Sequence, residues 1–285
     1  MSRIKKIWML CIFIFACTVG FSQQKERIEY KRVGDSITLS MEVYYPDHNK
    51  DGPSHPAIIF FHGGGWKVGG IDHFKPQAEY FSQRGLVCFL AQYRVENQHH
   101  STPFESLKDA KSAVRYVKKH AGRFHINPDS LVAAGGSAGG HLAAATALVD
   151  GFNAPGDDLS VSCQPDALVL FNPVIDNGPG GYGYERVGQR YRNFSPLHNI
   201  TEGAPPTILF LGTRDQLIPV ETARYYQKVM ERVGSRCDLM LYEGEKHGFF
   251  NYGQKYNYYQ TVIAADQFLR SLGYLKGEPT LQLEQ

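Results

Sequence analysis

The sequence has little of what marks the specialised protein classes. It holds only five cysteines in 285 residues and no C-x-x-C pair, which argues against a disulfide framework and a thiolate metal site. No H-E-x-x-H helix motif is present, so no metal is implied, and nothing points to a cofactor. Charge of neither sign dominates: 30 basic residues face 28 acidic ones, for a net charge of +2. That balance offers nucleic acid no basic footprint. No apolar run reaches the length of an integral membrane span. There is no internal repeat and no low-complexity linker. What is present is a globular composition, 42% hydrophobic and 13% aromatic, with ample material for a core.

The first 22 residues differ from the rest. Arg3, Lys5 and Lys6 precede an apolar stretch from Ile7 to Phe15, and Gly20-Phe21-Ser22 closes it with small-x-small spacing. A basic start, a short apolar core and a small-residue boundary form the pattern of a secretory signal peptide. The expectation is an exported protein, periplasmic or secreted, with residues 1–22 as leader and residues 23–285 as one domain. Lipid attachment at Cys17 is the minor alternative. With the leader's three basic residues set aside, the remainder falls slightly to the acidic side. Cys88, Cys163 and Cys237 remain, and spacing alone leaves any pairing among them open.

The remaining chain alternates two kinds of pattern. Ile37, Leu39, Met41, Val43 and Tyr45 alternate as a half-buried strand does. Ala57–Phe61, Leu86–Ala91, Leu131–Ala134, Ala167–Phe171, Thr207–Leu211 and Leu239–Tyr242 are short continuous apolar runs, as buried parallel strands are. Between them lie helical patterns: Phe104, Leu107, Ala110, Val114 and Val117 on one face, then Leu142–Val149, Val220–Val233 and Tyr259–Leu272. The expectation is an α/β fold. It has a mostly parallel central sheet of about eight strands, helices on both faces and an antiparallel opening pair.

Three short motifs carry chemistry. Gly135-Gly136-Ser137-Ala138-Gly139 follows a strand and precedes a helix expected near Gly140. A sharp strand-to-helix turn exposes the Ser137 hydroxyl at a helix N-terminus, the setting of a nucleophile elbow. His62-Gly63-Gly64-Gly65-Trp66 follows the strand Ala57–Phe61. Its backbone can aim N–H groups at a developing oxyanion, with Gly63, Gly64 and Ala138 as the expected donors. His62 is expected to hold this loop by hydrogen bonding. Asp215 and His247 follow the strands Thr207–Leu211 and Leu239–Tyr242, on the sheet edge where Ser137 must also lie. A serine needs a base, and the base needs an orienter. His247 is therefore the expected base and Asp215 the expected orienter.

Competitors are weaker. His99 and His100 sit in a polar loop, His125 precedes an Asn127-Pro128-Asp129 turn, and Asp176 is the rival acid after Ala167–Phe171. Gly178–Gly183 matches G-x-G-x-x-G, but it contains Pro179 and lacks the glycine-to-helix packing context with an acid downstream. It reads as a Gly/Tyr-rich loop.

Taken together, H-G-G-G-W at 62–66, G-G-S-A-G-G-H at 135–141, R-D-Q-L-I-P at 214–219 and H-G-F at 247–249 resemble the α/β-hydrolase superfamily. The nearest branches are the hormone-sensitive-lipase-like and acetyl- or feruloyl-esterase-like carboxylesterases. The resemblance implies a triad of Ser137, Asp215 and His247, an oxyanion hole at Gly63, Gly64 and Ala138, and no cofactor. Two departures, Gly136 where hormone-sensitive-lipase relatives carry Asp and Gln92-Tyr93-Arg94 where they carry D-Y-R, favour the acetyl-esterase-like branch. A strand opening near Ile28 leaves little for an N-terminal helical cap, so only a small cover from residues 172–206 is expected. Trp66, Tyr182 and Tyr184 are candidate substrate contacts at an open, aromatic-rimmed site. The substrate class this implies is a short acyl ester, acetyl or feruloyl, of a small molecule or polysaccharide. A peptidase, an arylformamidase-like hydrolase and a non-catalytic binding module are the alternatives. Oligomeric state is not legible.

Overall fold

The computed structural model describes residues 24–47 and 54–281. Leader residues 1–22 and Cys17 therefore lie outside the described part. Among the described residues, eight strands form one sheet: β1 Lys25–Val33, β2 Ile37–Tyr44, β3 His55–Phe61, β4 Val87–Ala91, β5 Ile126–Gly136, β6 Ala167–Phe171, β7 Thr207–Gly212 and β8 Cys237–Tyr242. Their spatial order is β1-β2-β4-β3-β5-β6-β7-β8. β1 and β2 form an antiparallel hairpin, and β2 runs antiparallel to β4. From β4 to β8 every pairing is parallel.

Eight α-helices accompany the sheet among the described residues: α1 Lys75–Gln83, α2 Glu96–His99, α3 Pro103–Lys119, α4 Ala121–Phe124, α5 Ala138–Leu148, α6 Tyr184–Val187, α7 Val220–Arg232 and α8 Lys255–Ser271. The period-2 alternation of strand side chains divides the core into two layers. Ala57, Ile59 and Phe61 of β3, Leu131 and Ala133 of β5 and Leu209 and Leu211 of β7 face one side. There they pack with Leu107 and Val114 of α3, Leu142 of α5 and Tyr226 of α7. Ile58, Phe60, Val132, Ala134, Ile208 and Phe210 face the other side, with Ala78 and Phe81 of α1 and Val262 and Leu269 of α8. Strands buried on both faces explain the continuous apolar runs. α3 starts where Thr102 and Glu105 form a capping box and Pro103 occupies the first turn.

Several boundaries differ from expectation, three of them bearing on the site or the sheet. α5 begins at Ala138, two residues earlier than Gly140, because the elbow passes from strand to helix with Ser137 as the only residue between them. α8 begins at Lys255, four residues early. β5 begins at Ile126, so Asn127–Asp129 lie inside the strand. An irregularity in the β3 pairing between His55 and Ala57 absorbs them, and Asn127 Oδ1 accepts the Asp129 N–H at 3.1 Å. Residues 172–206 form the expected small cover: α6 and two 3-10 turns, Gly188–Asn193 and Pro196–Asn199. Cys88, Cys163 and Cys237 are all unpaired.

The close approach of β5, α5 and the end of β3 depends on glycine. A Cβ on Gly139 would fall on the Phe61 carbonyl, far inside van der Waals contact, and the obstacle is backbone. A Cβ on Gly122 in α4 would meet nothing within 4 Å. Gly139→Ala is therefore expected to lower the unfolding free energy by about 3 kcal/mol, the cost of forcing atoms into a packed interior. Gly122→Ala is expected to raise it by up to about 1 kcal/mol through helix propensity. Urea denaturation of the two variants measures both.

Candidate active site

All three polar side chains expected to act together lie at the carboxyl edge of the parallel strands. Ser137 follows β5 with φ 55° and ψ −119°, a strained backbone for a side-chain-bearing residue. Its N–H donates to the Phe171 carbonyl at 2.9 Å, and its carbonyl accepts from His141 and Val174. The elbow is thus tied to β6 and α5 while the hydroxyl stays partly exposed.

His247 Nε2 lies 2.9 Å from Ser137 Oγ, and its Nδ1 lies 2.7 Å from Asp215 Oδ2. The Asp215 side chain is fully buried, whereas His247 retains 23% exposure. Asp215 Oδ1 accepts the N–H groups of Leu217 and Ile218 at 2.8 and 3.0 Å, which fixes the carboxylate plane. A carboxylate facing Nδ1 places the imidazole proton there and leaves Nε2 free to accept from the serine hydroxyl. Asn172 braces the same histidine. Its Oδ1 accepts the Gly248 N–H at 2.9 Å, and its Nδ2 lies 3.4 Å from His247 Nε2. The rival Asp176 lies elsewhere: its Oδ1 accepts the Gly178 N–H and sits 3.8 Å from His198 Nδ1.

The His62–Trp66 loop is held by its carbonyls. Tyr93 Oη donates to His62 O at 2.7 Å, and His62 Nδ1 donates to Gly63 O at 2.8 Å, so His62 does hold the loop. Gly64 O accepts from Lys67 and Val68, Gly65 O accepts from Arg186 Nη1 at 2.8 Å, and Trp66 O accepts from Glu96. Gly64 adopts φ 116°, where a Cβ would also strike the Val68 carbonyl. With the carbonyls engaged, the free groups are amides. Here the structure corrects the expectation for Gly63, whose N–H donates to His73 Nδ1 at 2.9 Å and is already used. Gly64 and Gly65 N–H have no partner among the described residues. The Ala138 N–H opens α5 and lacks an intrahelical acceptor. Gly64, Gly65 and Ala138 are therefore the open donors.

Trp66 is a second correction. Its side chain is fully buried, against His141, Tyr182 and Phe194, with Arg186 5.1 Å over its ring, so it lies beneath the surface rather than on a rim. Tyr182 is half-buried and abuts the loop: a Cβ on Gly65 would lie 2.6 Å from its hydroxyl. Tyr184 turns instead toward Tyr191 and accepts from Gln189. A cleft of about 230 Å³ runs between Gly180–Tyr182 and Leu217–Pro219, beside the Asp215 loop. A larger cavity of about 640 Å³, lined by Lys108, Asp150, Phe152 and Arg190, includes none of these residues. Among the described residues, no group of three His, Cys, Asp or Glu could hold a metal ion, and no helix is long and apolar enough to cross a membrane.

Sequence reasoning missed His73, Asn172, Arg186 and Asn251. Of these only Asn172, just beyond the end of β6, carried a positional signal. A serine hydroxyl, an imidazole acceptor and nearby open amides can together perform acyl transfer.

Comparison with known proteins places the chain among ester hydrolases. A family model described as BD-FAE matches residues 41–177, and one of the dienelactone hydrolase family matches residues 172–277. Carboxylesterase NlhH of Mycobacterium tuberculosis is 32% identical over 250 residues, covering 79% of this chain and 76% of that one. The acetylxylan esterase of Xylanibacter ruminicola is 26% identical over 293 residues, covering 96% of this chain and 55% of that one. The chain spans only 49%, 55% and 62% of the first three curated relatives it matches. Apo esterase 2 of Thermogutta terrifontis superposes with a TM-score of 0.85 at 42% identity, covering 89% of this chain and 96% of that one. The same esterase is known phosphonylated by sarin and with butyrate or propionate bound.

Two histidines beneath the site carry a stability consequence. Burial pushes His62 down to about 4 and His141 down to about 3, against partial compensation from the Gly63 and Phe194 carbonyls. Both stay neutral in the folded protein, while the unfolded chain protonates them at ordinary histidine values. Between about pH 6.5 and 4 the unfolded state binds more protons, so stability falls as pH falls through that window. The thermal midpoint is expected to drop from pH 7 to pH 5, before most carboxylates titrate. A level midpoint across that range would contradict the neutral assignment.

Proposed function

The chain belongs to the carboxylesterases of the α/β-hydrolase fold, and on that premise we propose that it is a serine ester hydrolase acting on short-chain acyl esters of carbohydrate, acetyl first among them. The observation that carries this reading is the hydrogen-bonded sequence Ser137–His247–Asp215 beside the open amides of Gly64, Gly65 and Ala138. Ser137 Oγ attacks the acyl carbon while its proton passes to His247 Nε2. The carbonyl oxygen takes up negative charge against the three amides, and Asp215 stabilises the imidazolium. Collapse of the tetrahedral intermediate breaks the ester C–O bond. The alcohol leaves with the proton from Nε2, and the acyl group stays on Ser137. Water then repeats the sequence: it gives a proton to Nε2, attacks the acyl-enzyme and releases the acid.

The short acyl group draws support from the butyrate and propionate recorded with the Thermogutta esterase. The carbohydrate alcohol draws support from the acetylxylan esterase relative. The cleft between Tyr182 and Leu217–Pro219 gives a bulky alcohol somewhere to lie. The basic, apolar and small-residue pattern of residues 1–22 supports export of residues 23–285 as one catalytic domain.

Two measurements test the proposal. With p-nitrophenyl acetate, Ser137→Ala is expected to lose at least about a thousandfold in kcat. Asp215→Asn, which favours the wrong imidazole tautomer, should lose about ten-thousandfold. Turnover unchanged in Ser137→Ala would overturn the serine mechanism. On a panel of acetylated xylo-oligosaccharides, methyl ferulate and long-chain triglycerides, kcat/KM should favour the acetylated sugars by at least about tenfold. A preference for triglycerides would overturn the substrate class, and one for methyl ferulate would replace acetyl by feruloyl.

A further inference from the structure

His73 stands outside the triad, on the 3-10 turn Ile71–Phe74, yet it links three parts of the site. Its Nδ1 accepts the Gly63 N–H at 2.9 Å. Because a backbone amide can only donate, Nδ1 carries no proton and the ring's proton sits on Nε2. Nε2 lies 2.6 Å from Asn251 Oδ1, so that proton is donated to the loop that carries His247. The ring packs between Phe74 and Phe250, with centroids 4.7 and 5.6 Å away. Phe250 in turn rests on Gly136, the residue before the nucleophile, where a Cβ would lie 2.5 Å from its ring edge. The imidazole therefore joins the glycine loop, the base loop and the elbow, and both of its nitrogens are spent in doing so.

We propose that His73 is a positioning residue for the oxyanion hole: by taking the Gly63 amide out of the site and bracing it to Asn251, it sets the direction of the next two amides, Gly64 and Gly65. The proposal rests on the ester-hydrolase reading for its kinetic consequence, but not for its structural content. The division of labour along the loop is specific. Carbonyls of residues 62 to 66 are tied outward by Tyr93, His62, Lys67, Val68, Arg186 and Glu96. Gly63 is the loop glycine whose amide is also tied, and it immediately precedes the two that are free. Without an acceptor at His73, a peptide plane next to the reacting oxygen loses its anchor, and the preorganisation of the following donors is lost with it. Burial holds the imidazole below its ordinary titration range, against the Asn251 bond, which keeps Nδ1 available as an acceptor near neutral pH.

The test uses two near-isosteric variants that each keep one end of the brace. Asn at 73 puts an amide oxygen close to the Nδ1 position and keeps the acceptor for Gly63. Gln at 73 reaches the Nε2 position and keeps the link to Asn251 only. For p-nitrophenyl acetate, His73→Ala and His73→Gln are expected to lose about tenfold to a hundredfold in kcat with KM within about twofold, because the lost interaction acts on the transition state. His73→Asn should recover most of that rate. Affinity for trifluoroacetone, whose hemiketal with Ser137 Oγ places its oxyanion where the ester's would develop, should fall in parallel with kcat. Equal rates for His73→Asn and His73→Gln, or an unchanged kcat in His73→Ala, would overturn the proposal. A merely structural role would lower the thermal midpoint of all three without this split. In wild-type protein, imidazole nitrogen shifts should report the Nε2–H tautomer of His73, and the Gly63 amide should be protected from hydrogen exchange. An Nδ1–H tautomer or an unprotected Gly63 would also overturn it. These two readouts hold whether or not any ester is turned over, so failure of wild-type hydrolysis would fall on the esterase reading alone.

Discussion

The site depends on one strained residue. Ser137 holds φ 55° and ψ −119° because β5 must become α5 with no spacer, and the surrounding backbone over-determines that turn. Its amide and carbonyl are both engaged by neighbouring strand ends and the helix, so the conformation cannot relax without releasing β6 and α5 together. The glycines around it follow from the same constraint. With Gly139 against the Phe61 carbonyl and Gly135 against the Gly139 carbonyl, β3, β5 and α5 meet at a separation no Cβ allows. That proximity is what brings the His62–Trp66 loop, which leaves β3, alongside the serine.

Around this elbow the protein separates holding from acting. Backbone carbonyls of the glycine loop and both oxygens of Asp215 are used to fix geometry. The groups not tied into the scaffold are those that an acyl-transfer reaction needs: the Ser137 hydroxyl, which meets His247 Nε2, and the amides of Gly64, Gly65 and Ala138. Preorganised donors of this sort contribute most where they need not reorient as charge develops. Arg186 serves the same end from the cover segment. It spans the Trp66 ring and the Gly65 carbonyl, and so links residues 172–206 to the loop beneath them.

The fold and the meeting of Ser137, His247 and Asp215 were legible in the sequence because each is written in local spacing. Continuous apolar runs marked the parallel strands, and the strand–G-x-S-x-G–helix setting marked Ser137. Asp215 and His247 followed from their places just beyond two strand ends. What escaped was set by tertiary neighbours. Whether Gly63 or Gly65 offers a free amide is decided by His73, ten residues downstream of Gly63, and that histidine has no pattern of its own. Trp66 is a candidate substrate contact on sequence alone. It is buried because Tyr182, Phe194 and His141 close over it from two later segments. The early start of β5 was hidden by an Asn-Pro-Asp signal, which an irregular strand pairing accommodates.

Ser137, and no other hydroxyl, is proposed as the activated nucleophile of this chain. Incubation with a fluorophosphonate, followed by intact mass and peptide mapping, tests it without assuming any natural substrate. A single adduct on Ser137 is expected at pH 7.5, formed far more slowly in His247→Ala. No adduct on the folded wild-type protein, or an adduct on a different residue, would contradict it.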